Sequence, residues 1–189
     1  MTGASAAAEP LPARRDVARI GDWLRELGLD PGPAAVREEV TSWDLFCDSR
    51  RRPRVPVTVI AAPGVACVLW VHYAPPLGDA FRRSYRRLLR WNDEFPFVKF
   101  ALAEDDRPIL AAELPLETLD RDRLGEALAR LLAVCDLLVD ETEGWIWPGG
   151  QRPPPPAWPS AGTALIDRYA PGLGELAESP GEGHPPTAR

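Results

Sequence analysis

Five carboxylates crowd one short stretch of this chain: Asp93 and Glu94 close "RWNDEF", and Glu104, Asp105 and Asp106 stand in "EDDRP". Paired carboxylates can divide acid and base work when a concave, partly desolvated site pushes their pKa values apart. Here the residues between them, 97–103, read as a strand, and about 3.3 Å per residue separates the clusters by roughly 20 Å. A small substrate cannot bridge that gap. The second cluster also falls in a predicted hairpin turn, where short acidic side chains fold back onto their own backbone. It lacks the spacing of an EF-hand calcium loop. Both clusters therefore read as solvated punctuation.

The other reactive residue types are scattered. His72 lies on the most apolar strand candidate and His184 near the C-terminal end, with no H-E-x-x-H pattern. Cys47, Cys67 and Cys135 are odd in number and widely spaced, which suits a reducing compartment better than a disulfide framework. Cys67 and Cys135 sit in apolar patterns, and no base neighbours any of the three in sequence. A small hydrolase gathering His72, Cys47 and a carboxylate is the weakest reading. No glycine-rich phosphate cradle occurs. The reading is of a non-enzyme with no metal and no cofactor.

Charge offers a different chemistry. The net charge is −6, so no general attraction to phosphate backbones is expected. Yet Lys99 is the single lysine, and arginines cluster twice. Arg82, Arg83, Arg86, Arg87 and Arg90 fill one arc of a predicted helix, and "RRRPR" spans 50–54. The arc, with Arg82, Arg86 and Arg90 as its candidate contact residues, would steer acidic partners. Nucleic-acid binding through it is the alternative function, weakened because Tyr85 and Trp91 fall on the apolar side. No signal-like leader and no 18-residue apolar run is present, so a cytoplasmic protein without membrane attachment is expected.

The elements that must position these residues follow from periodicity. "DVARIGDWLRELGL" places Val17, Ile20, Leu24 and Leu27 on one helical face, with Asp16 as N-cap and Gly28 just past the end. "SWDLFCD", "RVPVTVIAA" and "VACVLWVHY" read as strands, the last two joined by "APG". The arginine helix comes next, with Phe81, Tyr85, Leu88 and Asn92 on its apolar side and Leu89 and Trp91 flanking. Strands "FPFVKFALA" and "ILAAEL" follow. A last helix carries Leu124, Leu128, Leu131, Cys135 and Leu138 in one stripe, capped by Asp120. The order α-β-β-β-α-β-β-α defines an α+β fold with a single five-stranded antiparallel sheet. The domain spans 15–142, after a disordered segment 1–14. A Trp/Pro-rich linker occupies 143–160, and a short helix with a disordered tail occupies 161–189. Trp145 and Trp147 are expected to pack on their own domain.

The segment "LLRWNDEFPFVKFALAEDDRPILAAELPLETLDRDRLGEALARLLAVCD" carries a resemblance. A helix ends near Asn92, an aromatic-centred strand leads to an acidic turn, and the next strand closes on Leu114-Pro115-Leu116 before a long helix. This resembles the YbjN-domain family, which is related to the type III secretion chaperones of the CesT kind. The resemblance covers 80–138 well and 16–75 only by element order. It implies a non-enzymatic, usually homodimeric module that binds extended peptides or acts as a regulator.

The residues themselves add where such binding would occur. A sheet covered by helices on one side should alternate apolar and polar residues. Here Phe97, Ala101, Ile109 and Ala111 leave the second face apolar, and one of the two faces gains Trp70. Something should cover that face. A protein or peptide partner, or a second copy, docking on Trp70, Phe97, Ile109 and Trp43 is the reading this supports.

Overall fold

The structure is a computed structural model, and it describes residues 12–77, 82–156 and 159–177. The expected disorder at the two ends falls almost wholly outside those residues, as do Phe81 and Trp158.

Helix α1 (Pro12–Glu26) begins earlier than expected, so Asp16 lies within it and is no N-cap. Its apolar face, Val17, Ile20, Leu24 and Leu27, is buried as the spacing predicts. It ends in a Schellman motif. Gly28 takes φ +82°, its N–H donates to the Arg25 carbonyl, and Leu29 N–H donates to the Leu24 carbonyl.

The sheet holds β1 (Ala35–Arg37), β2 (Val40–Cys47), β3 (Val55–Ala62), β4 (Ala66–His72), β5 (Lys99–Leu102) and β6 (Pro108–Leu114). The spatial order is β1-β2-β3-β4-β6-β5, with every pair antiparallel. Six strands thus replace the expected five. The addition is β1, three exposed residues that pair with the start of β2 and are too short to leave a periodic signal. Gly64, at φ +74°, turns β3 into β4 as "APG" predicts.

Between β4 and β5 the chain crosses over through α2 (Arg82–Glu94), and β6 inserts between those strands. This makes β5 an edge. Asn92, at the end of α2, closes that edge like a strand partner. Its Oδ1 accepts from Phe100 N–H at 2.6 Å and its Nδ2 donates to the Phe100 carbonyl at 3.1 Å. Leu88, Trp91 and Phe95 bury the apolar side of α2, while Leu89 points to solvent.

Asp120 caps α3 (Arg121–Leu137) by accepting from Arg123 N–H at 2.8 Å. This helix is buried on nearly all sides, because α4 (Val139–Ile146) and α5 (Ala161–Tyr169) extend the structure past the predicted stripe. Leu165 and Ile166 of α5 join the same core as the sheet. A Cβ at Gly162 would collide with the Asp48 carbonyl oxygen, so glycine permits that close approach. Trp145 and Trp147 pack against the core as expected, Trp145 lying 5.9 Å from Trp91 between ring centroids.

Candidate interaction surface

Period-2 alternation sends Trp43, Leu45, Val57, Val59, Leu69, Val71 and Leu110 into the core. Their strand neighbours form the opposite face. At its centre Trp70 stands between Thr58 on β3 and Ala111 on β6, with the Ile60–Val68 and His72–Ile109 pairs beside it. Ile60, Val68 and Trp70 are half-buried and lie outside the core cluster. Phe46, 60% exposed, extends the apolar surface onto β2 beneath the Arg54 guanidinium at 4.5 Å. Ser42, Asp44, Lys99 and Glu113 surround it with polar groups. An apolar centre with a polar rim is the anatomy of a binding surface. Trp145 and Trp147 pack against the core cluster, to which Trp70 does not belong.

A polar chain crosses the same face. Thr58 Oγ1 donates to Asp44 Oδ1 at 2.7 Å, and His72 Nε2 lies 3.0 Å from Thr58 Oγ1. With its hydroxyl proton committed to Asp44, Thr58 accepts from His72 Nε2–H. Burial lowers the His72 pKa from 6.5, helped by Arg107 and opposed by Asp44 and Asp105. The histidine is therefore neutral and has its Nε2 proton in place. It cannot act through that nitrogen as a base toward Thr58. Cys47 points to the core, across the sheet from His72, and burial pushes its thiol up to about 12. The grouping of His72 with Cys47 is not formed.

The acidic clusters sit as the sequence implies. Glu104, Asp105 and Asp106 are exposed in the β5–β6 turn, where Arg107 N–H and Nη2 donate to Asp105. Asp93 and Glu94 are exposed at the end of α2.

The sequence-predicted partner residues scatter. Trp70 and Ile109 do share the open face, but Ile109 is only 5% exposed. Trp43 is 4% exposed on the core face, opposite Val59, and is not offered to a partner. Phe97 precedes β5, in a turn with φ +63°, and packs under Arg130 at 5.1 Å on the α3 side of the sheet. Its 76% exposure belongs to another surface. Arg86 and Arg90 are exposed on α2, and the Arg82 side chain is outside the described set.

The two basic segments meet on α4. Arg51 pairs with Asp140 at 2.5 Å, Arg87 with Glu141, and Arg152 with Asp140 at 3.0 Å. The Arg51 hydrogen bond is the main reason the Asp140 pKa is held down. Arg50 pairs with Asp167 on α5 at 2.5 Å. Much of the basic charge is thus answered within the chain.

Sequence reasoning missed Phe46, Asp44, Thr58 and the edge-closing role of Asn92. Strict alternation along "SWDLFC" places Phe46 and Asp44 opposite Trp43 and Leu45, so that signal was available. Asn92 stands out only as the helix-end residue of the resemblance, and nothing local marks its bonding to Phe100, which lies across a turn.

No curated protein was found to match the chain. Residues 16–143 match the sequence profile of the YbjN family, described as "putative bacterial sensory transduction regulator", which leaves α5 beyond the matched region. With two thirds of its length matched and the α+β fold built as described, the chain belongs to the YbjN family.

Proposed function

We propose that the chain is a non-enzymatic regulatory module that binds a partner protein's extended apolar segment on the open face of its sheet. The observation that carries this is Trp70. It is half-exposed at the centre of a face that no described helix covers, between Thr58 and Ala111 and close to Ile60 and Val68. Apolar side chains flanking a rigid strand suit alternate side chains of an extended peptide. The family description of a regulator of sensory transduction supports a binding role. The Asp44–Thr58–His72 chain supplies hydrogen-bonding groups beside the apolar centre, where they would fix register more than affinity. The arginines Arg86 and Arg90 lie on α2 and would act at a distance, as steering charges.

The test places a photo-crosslinker at position 70 and, as control, at Arg86. Crosslinks from position 70 to one apolar, extended segment of a partner, lost in the Phe46→Ala variant, are expected. Crosslinks from Arg86 alone, or a partner yield indifferent to Phe46→Ala, would reject this surface. A crosslink to a second copy of the chain would make the partner a homodimer subunit.

A further inference from the structure

Beyond one end of the open face, where β3 starts and β4 ends, lies a cleft of about 330 Å³. Its basic lining is Arg52, Arg54, His72 and Arg107, with Tyr73 and Trp147 as aromatic walls. Pro53, Pro56, Pro75 and Pro76 fill much of the rest. Prolines carry no N–H, so the donors available to a ligand here belong mainly to side chains.

Arg52 is the unusual member. It is only 4% exposed, yet has no carboxylate partner among the described residues. Its Nη2 donates to the Tyr73 carbonyl at 2.8 Å and its guanidinium stacks on the Tyr73 ring at 4.9 Å. By geometry its Nη1 has no hydrogen-bond partner among the described residues, although the guanidinium also reaches the Cys135 thiol. A buried charge normally comes with a counter-charge, because desolvation costs several kcal/mol per ion. The same cleft collects two more unpartnered buried atoms, His72 Nδ1 and Arg107 Nε. The Thr58 contact occupies Nε2–H of His72, so Nδ1 is a bare acceptor nitrogen that can meet an anion only after taking up a proton. Arg54, at the mouth, is exposed, its backbone N–H bonded to Asp48 and its guanidinium held over Phe46 with no carboxylate on it among the described residues. Among the described residues, Asp105 is the one carboxylate paired with these guanidinium groups, and it is bound to Arg107 at 2.9 Å.

Neighbouring arginines make the contrast plain. Arg50 and Arg51 each have an ion pair, while Arg52 and Arg54 face the cleft without one. We propose that this cleft binds a small oxyanion, a phosphate or carboxylate group carried by a small molecule, whose charge answers Arg52, Arg54 and Arg107. The three unpartnered atoms are shielded from solvent, so the anion first meets the exposed Arg54 and the half-exposed Arg107. Small side-chain shifts then bring Arg52 and His72 onto it. A bound anion would favour protonation of His72, which also faces Thr58, Arg107, Asp44 and Asp105. Guanidinium forks suit both phosphate and carboxylate oxygens.

The cleft borders the peptide-docking face and shares His72 with it, but Trp70 does not line it and the charge that would hold an anion belongs to Arg52, Arg54 and Arg107. The experiment titrates the full chain with inorganic phosphate and, separately, with succinate, following the imidazole nitrogens by NMR. There are two histidines, and His72→Gln assigns their signals. Saturable shifts of His72 with a raised His72 pKa are expected, and the tighter of the two anions names the preferred group. The variant R54Q/R107Q should weaken binding by about tenfold or more, as the loss of charge-assisted hydrogen bonds implies. Arg52→Gln should abolish it. Should that buried change fail to fold, the double variant still decides. Shifts that chloride reproduces at equal ionic strength, or that R54Q/R107Q leaves unchanged, would overturn the site and leave Arg52 a purely structural cation.

Discussion

Leu69 and Trp70 are adjacent on β4 and point to opposite faces of one sheet, and their surroundings differ in kind. Around Leu69 every neighbour is apolar and sealed, from Val59 across one ladder to Ala112 across the other. Around Trp70 the apolar residues are half-open and interrupted by Asp44, Thr58 and His72. The core face holds the fold together through burial, and close packing makes it intolerant of change. The second face contributes less to folding and keeps a mixed, patterned surface, which is what recognition needs. Proximity in sequence says little about role when the side-chain period is two.

That contrast can be broken at its strongest point first. Leu69→Ala should cost about 2–5 kcal/mol, by lost burial plus the cavity left behind. Chemical denaturation measures it, and a loss under about 1 kcal/mol would mean the core relaxes far more than close-packed interiors do. Trp70→Ala removes a larger side chain yet should cost no more than about 2–3 kcal/mol, because part of the ring is already open to solvent. A Trp70→Ala loss equal to that of Leu69→Ala would show the two faces to be equally structural. The smallest effect is electrostatic. The His72 pKa is lowered in the fold, so the unfolded chain binds more protons below about pH 6.5. Stability should be flat above that value and fall as the pH drops through it. His72→Gln should flatten this part of the profile, read by denaturation at several pH values between about 5 and 7.

Much of the first face was legible in the sequence. Val57, Val59, Leu69 and Val71 alternate as half of a strand pattern, and "RELGL" encodes the glycine-ended helix realised at Gly28. Less of the second face could be read. Trp43 and Phe97 are large aromatics that composition offers to a surface, yet one is core and the other stands before its strand. Their placement depends on where β2 and β5 begin, and a shift of one residue reverses every side chain. The cleft was least legible of all. "RRRPR" reads as one basic run, and only the fold divides it into Arg50 and Arg51, which have ion pairs, and Arg52 and Arg54, whose guanidinium groups have none among the described residues. Similarly, α3 reads as a one-sided helix until α5, from beyond the proline-rich segment, covers it.

The side chain of Asn92 has a consequence for assembly. By engaging Phe100 N–H and C=O, it takes one backbone pairing point away from the β5 margin of the sheet. A block that can be extended at both margins can grow into a fibre, whereas one with a single free margin can join one mate and then stop. One amide group thus works against strand addition at the β5 margin.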